Sequence, residues 1–420
     1  MKTISQFPER GILVGVVRDT RRRLLEEESL KELEELASSA GAQVVKVCLQ
    51  EKSTLDPSYL VGKGKLKEIQ DAVVKHQADL VVFDEDLTTA QLRNLEEFLG
   101  IKVIDRSELI LDIFTQRARS REGKLQVESA QLEYLLPRLT GRGLTLSRLG
   151  GGIGTRGPGE TKLEVDRRTI RVRLSRIKKD LQQLEQRRAL HRRKRQAIPI
   201  PTVSLVGYTN AGKSTLFNLL TKEDTYVSQR MFATLDPLVR NATFDSGQTI
   251  LLSDTVGFIR KLPHTLVAAF HATLEETLEA DLILHVIDVS HPNWIALRQA
   301  VYEVLDEIGL ENIPILECYN KTDLLDKMPH VGSSHDFVFA SARLGLGVSH
   351  LFNRIEYLVN KNYREVRLTI PFDRGDIVSK LRERARIRIQ EYREDGIYLE
   401  ASVPTPDLFR YQQFVDQREG

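Results

Sequence analysis

The sequence contains few of the features that mark secreted, metal-binding or membrane-spanning proteins. Cys48 and Cys318 are the only cysteines among 420 residues, and they show neither metal-ligand spacing nor a disulfide framework. No run of about 18 apolar residues occurs, so no transmembrane helix is expected. The first ten residues lack the apolar core of a signal peptide. These absences predict a cytoplasmic protein without a membrane anchor, and the length predicts two or three domains.

The chain as a whole also lacks a strong excess of either charge: it has 61 basic and 59 acidic residues, and its net charge is +2. The two signs are nevertheless separated along the chain. Residues 161–195 hold fourteen Lys or Arg and four acids, a net charge of +10, which leaves −8 for the rest of the chain. One basic segment on an otherwise acidic protein is typical of contact with nucleic acid.

The clearest motif that is present is a phosphate-binding loop. Gly207-Tyr-Thr-Asn-Ala-Gly-Lys-Ser214 follows an apolar run, Val203–Val206, and precedes a helical pattern that begins at Thr215. In the order strand, glycine loop and helix, backbone N–H groups at the helix start point at a polyphosphate. We expect Lys213 to reach the β- and γ-phosphates and the Ser214 hydroxyl to bind Mg²⁺. An ordinary glycine turn is the alternative.

Shorter motifs at later strand ends predict the rest of a guanine-nucleotide site. Asp254-Thr-Val-Gly257 follows an apolar run, so the Asp is expected beside Mg²⁺ and the Gly is expected to donate its N–H to the γ-phosphate. Asn320-Lys-Thr-Asp323 follows another such run. The carboxylate of Asp323 can accept from N1–H and from the exocyclic amine of guanine, which adenine does not offer. Ser341-Ala-Arg343 can add a backbone N–H to the guanine O6, so the predicted nucleotide is GTP.

Thr234 is the candidate for a loop that senses the γ-phosphate. It lies midway between Ser214 and Asp254, where a threonine can bind Mg²⁺ and order its loop with GTP; an ordinary solvated threonine is the alternative. The predicted metal ligands are Ser214, Thr234 and Asp254, and the predicted catalytic residues are Lys213, Thr234 and Gly257. The predicted nucleotide contacts are Gly207, Tyr208, Thr209, Asn210, Ala211, Gly212, Lys213, Ser214, Thr215, Phe232, Ala233, Thr234, Leu235, Asp236, Asp254, Thr255, Val256, Gly257, Asn320, Lys321, Thr322, Asp323, Ser341, Ala342 and Arg343.

Two positions bear on how hydrolysis is catalysed. Phe258 stands where Ras-like enzymes carry the glutamine that orients the attacking water, and a phenyl ring cannot hydrogen-bond water. We therefore expect slow intrinsic hydrolysis that a partner accelerates. Asn210 occupies the place where several potassium-stimulated GTPases hold an asparagine that coordinates K⁺, which makes K⁺ a candidate second cofactor. Asparagine is also simply a good turn residue.

The sequence predicts an α/β protein in which other parts surround a GTPase domain at 199–361. Short apolar runs alternate with helical patterns in residues 1–106, which indicates a small α/β domain with a parallel sheet. Residues 362–420 predict a small α+β domain, with a basic helix at about 374–390 between two strands.

Residues 107–198 are predicted to form a helical hairpin. Two heptad-patterned helices, the first expected as one helix over 107–138, should pack antiparallel on either side of a loop at 141–159. The loop holds eight glycines and three arginines in nineteen residues. A flexible linker is the alternative, but interleaved Arg, Ile and Leu favour contact with RNA. The predicted RNA-binding residues are Arg142, Arg148, Arg156, Gly151, Gly152 and Gly154.

Taken together, these motifs resemble the HflX family of ribosome-associated GTPases. The likeness rests on a GTPase domain preceded by Gly150-Gly-Gly-Ile-Gly-Thr-Arg-Gly-Pro-Gly-Glu-Thr161. Supporting stretches are Leu109–Phe114, Glu122–Glu128 and Gln131–Tyr134. The likeness covers the whole chain, and Lys162 stands where family members usually have glutamine.

The resemblance implies binding to the large (50S) ribosomal subunit and its rRNA, with the hairpin loop reaching toward the peptidyl-transferase region. It also implies splitting or rescue of stalled ribosomes under stress, with hydrolysis of GTP to GDP resetting the factor. We expect a monomer. The residues themselves leave three alternatives: a ribosome-assembly GTPase, an RNA-binding remodeller whose affinity is gated by nucleotide, and a membrane-recruited switch, which no lipidation motif supports.

Overall fold

The structure is a computed structural model of the chain. It describes residues 8–139, 162–195, 200–222, 231–232, 238–261, 277–278, 280–310, 313–332, 335–361 and 363–415. Within these residues, no helix is both long enough and apolar enough to cross a membrane. They divide into two compact units: the first holds the residues up to 181 together with 231–232 and 259–261, and the second holds the others.

A four-stranded parallel sheet organises the first unit, and this confirms the predicted parallel-sheet domain. Its elements are β1 (Arg10–Val17), α1 (Arg23–Ala40), β2 (Gln43–Glu51), α2 (Lys63–His76), β3 (Leu80–Phe83), α3 (Thr89–Leu99) and β4 (Lys102–Asp105). The strand order is β2-β1-β3-β4. The two central strands are buried almost throughout, as expected for Val- and Leu-rich strands that helices cover on both faces.

The helices that follow differ from the prediction of one helix over 107–138, which is wrong. The elements are α4 (Arg106–Arg117), α5 (Arg121–Arg138) and the long α6 (Lys162–Arg195). Ala118 leaves helical geometry with a ψ of 114°, and Ser120 caps the next helix by accepting a hydrogen bond from the N–H of Gly123 at 2.8 Å. A local cap thus interrupts a heptad pattern that continues across the break.

Two ion pairs join α5 to the first part of α6. Arg173 Nε lies 2.6 Å from Glu128 Oε1, and Lys178 Nζ lies 2.9 Å from Glu133 Oε1. Both pairs advance in the same direction along the two helices, whereas the pairs of an antiparallel hairpin advance in opposite directions. The prediction that these two helices pack antiparallel is therefore wrong for the described residues, because the two ion pairs have the register of a parallel pair.

A six-stranded sheet in the order β10-β9-β8-β5-β7-β6 forms the core of the second unit. Its elements are β5 (Thr202–Gly207), α7 (Lys213–Thr221), β6 (Leu238–Thr243), β7 (Thr249–Asp254), β8 (Leu282–Asp288), α8 (Trp294–Glu307), β9 (Ile315–Asn320), β10 (Asp336–Phe339) and α9 (Val348–Asn360). Every neighbouring pair is parallel except β6 with β7. The carboxyl ends of the parallel strands meet at one edge, where α/β proteins bind ligands.

A three-stranded antiparallel sheet, in the order β11-β13-β12, closes the chain. Its elements are β11 (Tyr363–Ile370), α10 (Gly375–Arg384), β12 (Arg386–Arg393) and β13 (Gly396–Pro404). The helix predicted to reach residue 390 is therefore too long. Residues 386–389 alternate basic and apolar side chains. This period of two suits a strand, and pairing of β12 with β13 overrides helix propensity.

Candidate nucleotide-binding site

The phosphate-binding loop connects the end of β5 to the start of α7. Two of its glycines are required by close approach: a Cβ at Gly207 would lie 2.3 Å from the carbonyl oxygen of Val286, and one at Gly212 would lie 2.3 Å from Asn320 Nδ2. Gly212 also has a φ of 94°, a region that residues with a side chain rarely adopt. The loop is thus held against two neighbouring strands, β8 and β9.

Lys213 lies folded under this loop. Its side chain is only 7% exposed, and Nζ donates to the carbonyl oxygens of Gly207 and Tyr208, each at 2.9 Å. Burial lowers the pKa of Lys213 to about 8, and the nearby carboxylate of Asp254 opposes that shift. Because an ammonium has three N–H donors, the two bonds within the described residues leave a third for a phosphate oxygen.

Ser214 and Asp254 lie together as predicted for a magnesium site. Ser214 Oγ donates to Asp254 Oδ2 at 2.9 Å, and Asp254 is fully buried at the end of β7. A hydroxyl and a carboxylate are the hard oxygen ligands that Mg²⁺ takes, so the donor set fits this ion. The third predicted ligand, Thr234, lies outside the described residues, as do Ala233, Leu235 and Asp236.

Gly257 packs directly against the phosphate-binding loop. A Cβ at this position would meet Thr209 Cγ2 at 2.9 Å, Thr209 Cα at 3.0 Å and Lys213 Nζ at 3.1 Å. Of the predicted residues in the same motif, Thr255 and Val256 are buried, and Thr255 Oγ1 donates to the carbonyl oxygen of Leu205 at 2.6 Å. The motif after β7 and the loop after β5 therefore form one surface.

Phe258 has a role that the sequence reasoning missed. Its N–H donates to the carbonyl oxygen of Gly207 at 3.1 Å, and its carbonyl accepts from the N–H of Thr209 at 2.8 Å. Its ring is 4% exposed. Phe258, which stands where Ras-like enzymes have the catalytic glutamine, thus fastens the motif after β7 to the phosphate-binding loop through its backbone. The burial of this side chain could have been predicted from the sequence, because an apolar residue directly follows the motif that ends at Gly257.

The guanine-specific motif after β9 is tied to the same loop by Asn320. Asn320 Nδ2 donates to the carbonyl oxygen of Ala211 at 2.9 Å, and its Oδ1 accepts from the N–H of Ala342 at 2.9 Å. Asp323 Oδ1 accepts from Ser341 Oγ at 2.6 Å. Three side-chain hydrogen bonds therefore join three motifs that are separate in the sequence: one reaches the phosphate-binding loop and two reach the motif at 341–343.

Asp288 was not singled out from the sequence, although it stands at the carboxyl end of β8. Lys321 adopts a left-handed φ of 64°, and its Nζ lies 2.6 Å from Asp288 Oδ2. Thr322 Oγ1 donates to the carbonyl oxygen of Ala340 at 2.9 Å. This ion pair fixes Lys321, one of the predicted nucleotide contacts. A carboxylate at a strand end beside the motif was the signal that could have identified it.

The remaining predicted residues divide into those at the loop and those elsewhere. Asn210 is exposed with a left-handed φ of 61°, a conformation that asparagine tolerates. Thr215 is half-buried in α7, and Arg343 is exposed. Phe232 is 3% exposed and packs edge-on against Phe114 with ring centroids 4.6 Å apart.

The predicted RNA-binding residues Arg142, Arg148, Arg156, Gly151, Gly152 and Gly154 lie outside the described part of the chain.

The chain is similar to known proteins along its whole length. Three family models match it: "GTP-binding GTPase N-terminal" over 27–115, "GTP-binding GTPase Middle Region" over 117–195 and "50S ribosome-binding GTPase" over 202–321. A GTPase HflX of Caldanaerobacter subterraneus is 47% identical over 415 residues, 99% of this chain and 96% of that protein. A GTPase HflX of Escherichia coli is 45% identical over 391 residues, 91% of each. Among solved structures, the chain is similar to a GTP-binding protein of Sulfolobus solfataricus in complex with GDP. The alignment covers 84% of this chain and 99% of the Sulfolobus chain, with 24% sequence identity and a TM-score of 0.46.

Proposed function

Because the chain belongs to the HflX family and is a GTP hydrolase, we propose that it binds the large ribosomal subunit and uses GTP hydrolysis to split or rescue stalled ribosomes under stress. The observation that carries this proposal is a nucleotide site, assembled at one sheet edge, in the same chain as a strongly basic helix. The site provides a switch driven by GTP. The helix provides affinity for rRNA, because its Lys and Arg side chains neutralise the phosphates on binding.

The geometry supports GTP binding by the loops after β5, β7 and β9. Asp323 reads the guanine base, and Asn320 holds its loop against the phosphate-binding loop. Ser214 and Asp254, together with Thr234, would hold Mg²⁺, which neutralises the charge on the β- and γ-phosphates when bound. Gly257 donates its N–H to the γ-phosphate. Intrinsic hydrolysis is slow because Phe258 cannot orient a water molecule, and the ribosome supplies the acceleration.

The basic helix α6 supports contact with RNA. Arg173 and Lys178 are engaged with acidic residues of α5, whereas Arg171, Arg176 and Lys179 are exposed to solvent. We propose that these exposed residues bind rRNA phosphates and that the loop at 141–159 enters the large subunit, where Arg142, Arg148, Arg156, Gly151, Gly152 and Gly154 contact rRNA. The protein acts as a monomer in the cytoplasm, where ribosomes are found.

The proposed organisation assigns a task to two of the four parts of the chain. Residues 199–361 bind and hydrolyse GTP, and residues 107–198 bind the ribosome. Residues 1–106 and 362–420 flank these two parts.

The first test is steady-state GTP turnover with and without purified large ribosomal subunits at fixed salt. We expect stimulation by more than about tenfold, which corresponds to about 1.4 kcal/mol of activation free energy. Purified small subunits are the matched control and should stimulate less. A chain lacking residues 141–159 should keep the basal rate and lose the stimulation. An unchanged rate with large subunits would remove the ribosome as the activating partner.

A second experiment separates this function from an RNA remodeller whose affinity is merely gated by nucleotide. Lys213→Ala removes the buried ammonium under the phosphate-binding loop. We expect it to abolish turnover and also to abolish nucleotide-dependent cosedimentation with large subunits. Abolished turnover in Lys213→Ala, with RNA binding that is intact and independent of nucleotide in this variant, would favour the remodeller.

We also propose that Asn210 coordinates K⁺. Its exposed amide and left-handed backbone leave the oxygen open to a monovalent ion. The expected result is faster turnover in K⁺ than in Na⁺ at equal ionic strength, and a loss of the difference in Asn210→Gly, which tolerates the same backbone conformation. Identical turnover rates in K⁺ and Na⁺ would contradict this proposal.

A further inference from the structure

The hydroxyl group of Thr209 is buried in the phosphate-binding loop. The residue is 7% exposed, and its Oγ1 has no hydrogen-bond partner among the described residues. Three other hydroxyls of the site differ: those of Ser214, Thr255 and Thr322 each donate to a carboxylate or carbonyl oxygen of the protein. Because a buried hydroxyl without a partner destabilises a folded protein, we expect this one to gain its partner from a ligand.

Backbone hydrogen bonds fix the position of Thr209. Its N–H donates to the carbonyl oxygen of Phe258 at 2.8 Å, and the N–H of Phe258 donates to the carbonyl oxygen of Gly207 at 3.1 Å. These bonds hold the phosphate-binding loop beside the motif that ends at Gly257, and all four residues belong to the second unit. The place of the Thr209 side chain is therefore set by the backbone of the protein itself.

Thr209, Lys213 and Gly257 meet at one corner of the site. A Cβ on Gly257 would lie 2.9 Å from Thr209 Cγ2 and 3.1 Å from Lys213 Nζ. The hydroxyl of Thr209 shares its Cβ with that methyl group, so one rotamer step about the Cα–Cβ bond exchanges the two groups. Lys213 and Gly257 are the residues expected at the γ-phosphate, and Thr209 therefore stands beside that phosphate.

A hydroxyl group at this corner can distinguish GTP from GDP. It can donate to a phosphate oxygen, and a hydrogen bond to a charged acceptor is stronger than one between neutral groups. GDP has no γ-phosphate and therefore cannot form this bond. Lys213, by contrast, is expected to reach the β-phosphate as well, so its ammonium stabilises both nucleotides.

We propose that the Thr209 hydroxyl donates a hydrogen bond to an oxygen of the γ-phosphate and is a specificity-determining residue that favours GTP over GDP. The inference rests on the GTP site proposed above and does not depend on the ribosome as partner. The preference matters to a switch, because it sets the share of the protein that carries GTP at a given ratio of the two nucleotides.

The experiment compares the affinities of the full chain for GDP and for a GTP analogue with an imido bridge between the β- and γ-phosphorus atoms. Both titrations use the same Mg²⁺ buffer without ribosomes. Thr209→Val keeps the shape of the side chain and removes the hydroxyl. Its affinity for the analogue should fall about tenfold, as expected for one lost hydrogen bond to a charged group, and its affinity for GDP should stay within about twofold of the original protein.

Two further variants serve as controls for this titration. Thr209→Ser keeps the hydroxyl, so its ratio of analogue affinity to GDP affinity should lie within about threefold of the original ratio. Thr243→Val makes the same change at an exposed position of β6 and should bind both nucleotides as the original protein does.

Urea unfolding without nucleotide separates a contact with nucleotide from a structural role. The Thr209 hydroxyl has no hydrogen bond to lose among the described residues, so Thr209→Val should unfold at the same urea concentration as the original protein or at a higher one. Fluorescence of Trp294, the one tryptophan of the chain, reports unfolding of the second unit.

Several outcomes would overturn the proposal. These are an affinity ratio in Thr209→Val within threefold of the original, equal losses for both nucleotides, and a loss in Thr209→Ser as large as that in Thr209→Val. A lower urea midpoint in Thr209→Val than in Thr243→Val would also overturn it, because the hydroxyl would then stabilise the fold. If large ribosomal subunits failed to stimulate the original protein while the analogue affinity fell as expected, the ribosomal function would be refuted and the role of Thr209 supported.

Discussion

Asn320 connects the guanine-specific motif to the phosphate-binding loop: its Nδ2 donates to the carbonyl oxygen of Ala211 at 2.9 Å, and its Oδ1 accepts from the N–H of Ala342 at 2.9 Å. The side chain is 2% exposed. It thus braces three chain segments, at the ends of β5, β9 and β10, without itself having to contact the nucleotide. We therefore expect base recognition and phosphate binding to be coupled through this one amide.

Asn320→Ala should weaken GDP binding because it removes both bonds. Each hydrogen bond contributes roughly 1 kcal/mol net, so the loss of two predicts about a thirtyfold higher dissociation constant. Fluorescence titration with a labelled GDP measures this. Asn241→Ala, at an exposed position of β6, serves as the control. An affinity within threefold of the original protein would show that the amide does not brace the site.

Gly257→Ala should slow hydrolysis while leaving GDP binding nearly intact. The added methyl group would meet Thr209 and Lys213 at 2.9 to 3.1 Å, so the γ-phosphate motif must move away from the phosphate-binding loop. Loss of one positioned N–H donor costs about 100-fold in kcat. Single-turnover GTP hydrolysis reports the chemical step directly.

The control for this glycine is Gly375→Ala, since a Cβ at Gly375 meets nothing within 4 Å. That variant should hydrolyse GTP at the original rate. If Gly257→Ala were equally fast, the close approach seen at Gly257 would have no part in catalysis.

Asp323→Asn should change the base preference of the enzyme. An amide cannot accept from both N1–H and the amine of guanine, but its NH₂ can donate to the carbonyl that xanthine carries in place of that amine. We expect about 100-fold weaker GTP binding and a gain in affinity for xanthosine triphosphate. Competition titrations with the two nucleotides measure the exchange, and Asp326→Asn, at an exposed position, should bind GTP normally. Equal losses for both nucleotides would mean that Asp323 stabilises the loop rather than reading the base.

The nucleotide site could be predicted from the sequence because each motif is contiguous and follows a buried strand. Gly207, Asp254 and Asn320 each stand at the end of such a run, and parallel strands bring their carboxyl ends to one edge. The backbone bridge of Phe258 and the ion pair of Asp288 with Lys321 could not be derived in this way, because each depends on contacts between distant segments.

The errors in the predicted elements have the same origin. The pattern over 107–138 kept its heptad period through Ala118, so only the cap formed by Ser120 marks the break. The basic run at 386–393 suits either a helix or a strand, and its pairing with β13 decides for the strand. Tertiary contacts override propensity at such places.

His285 predicts a pH dependence of stability in the GTPase domain. It is 1% exposed in β8, and burial lowers its pKa to about 3 from 6.5, although the charge of Glu317 opposes the shift. Below pH 6.5 the unfolded chain binds a proton at this site and the folded chain does not, so stability falls as pH falls until both are protonated near pH 3. Between pH 7.5 and pH 5 the loss amounts to about 2 kcal/mol.

Urea unfolding at the two pH values, followed by fluorescence of Trp294, measures this effect. Trp294 is the one tryptophan of the chain and packs edge-on against Tyr319 with ring centroids 5.5 Å apart, so its signal reports the second unit. His285→Leu has nothing to titrate at this position and should lose about 2 kcal/mol less than the original protein between the two pH values. The comparison cancels the titration of all other groups. Equal losses in both proteins would mean that His285 accepts a proton in the folded state.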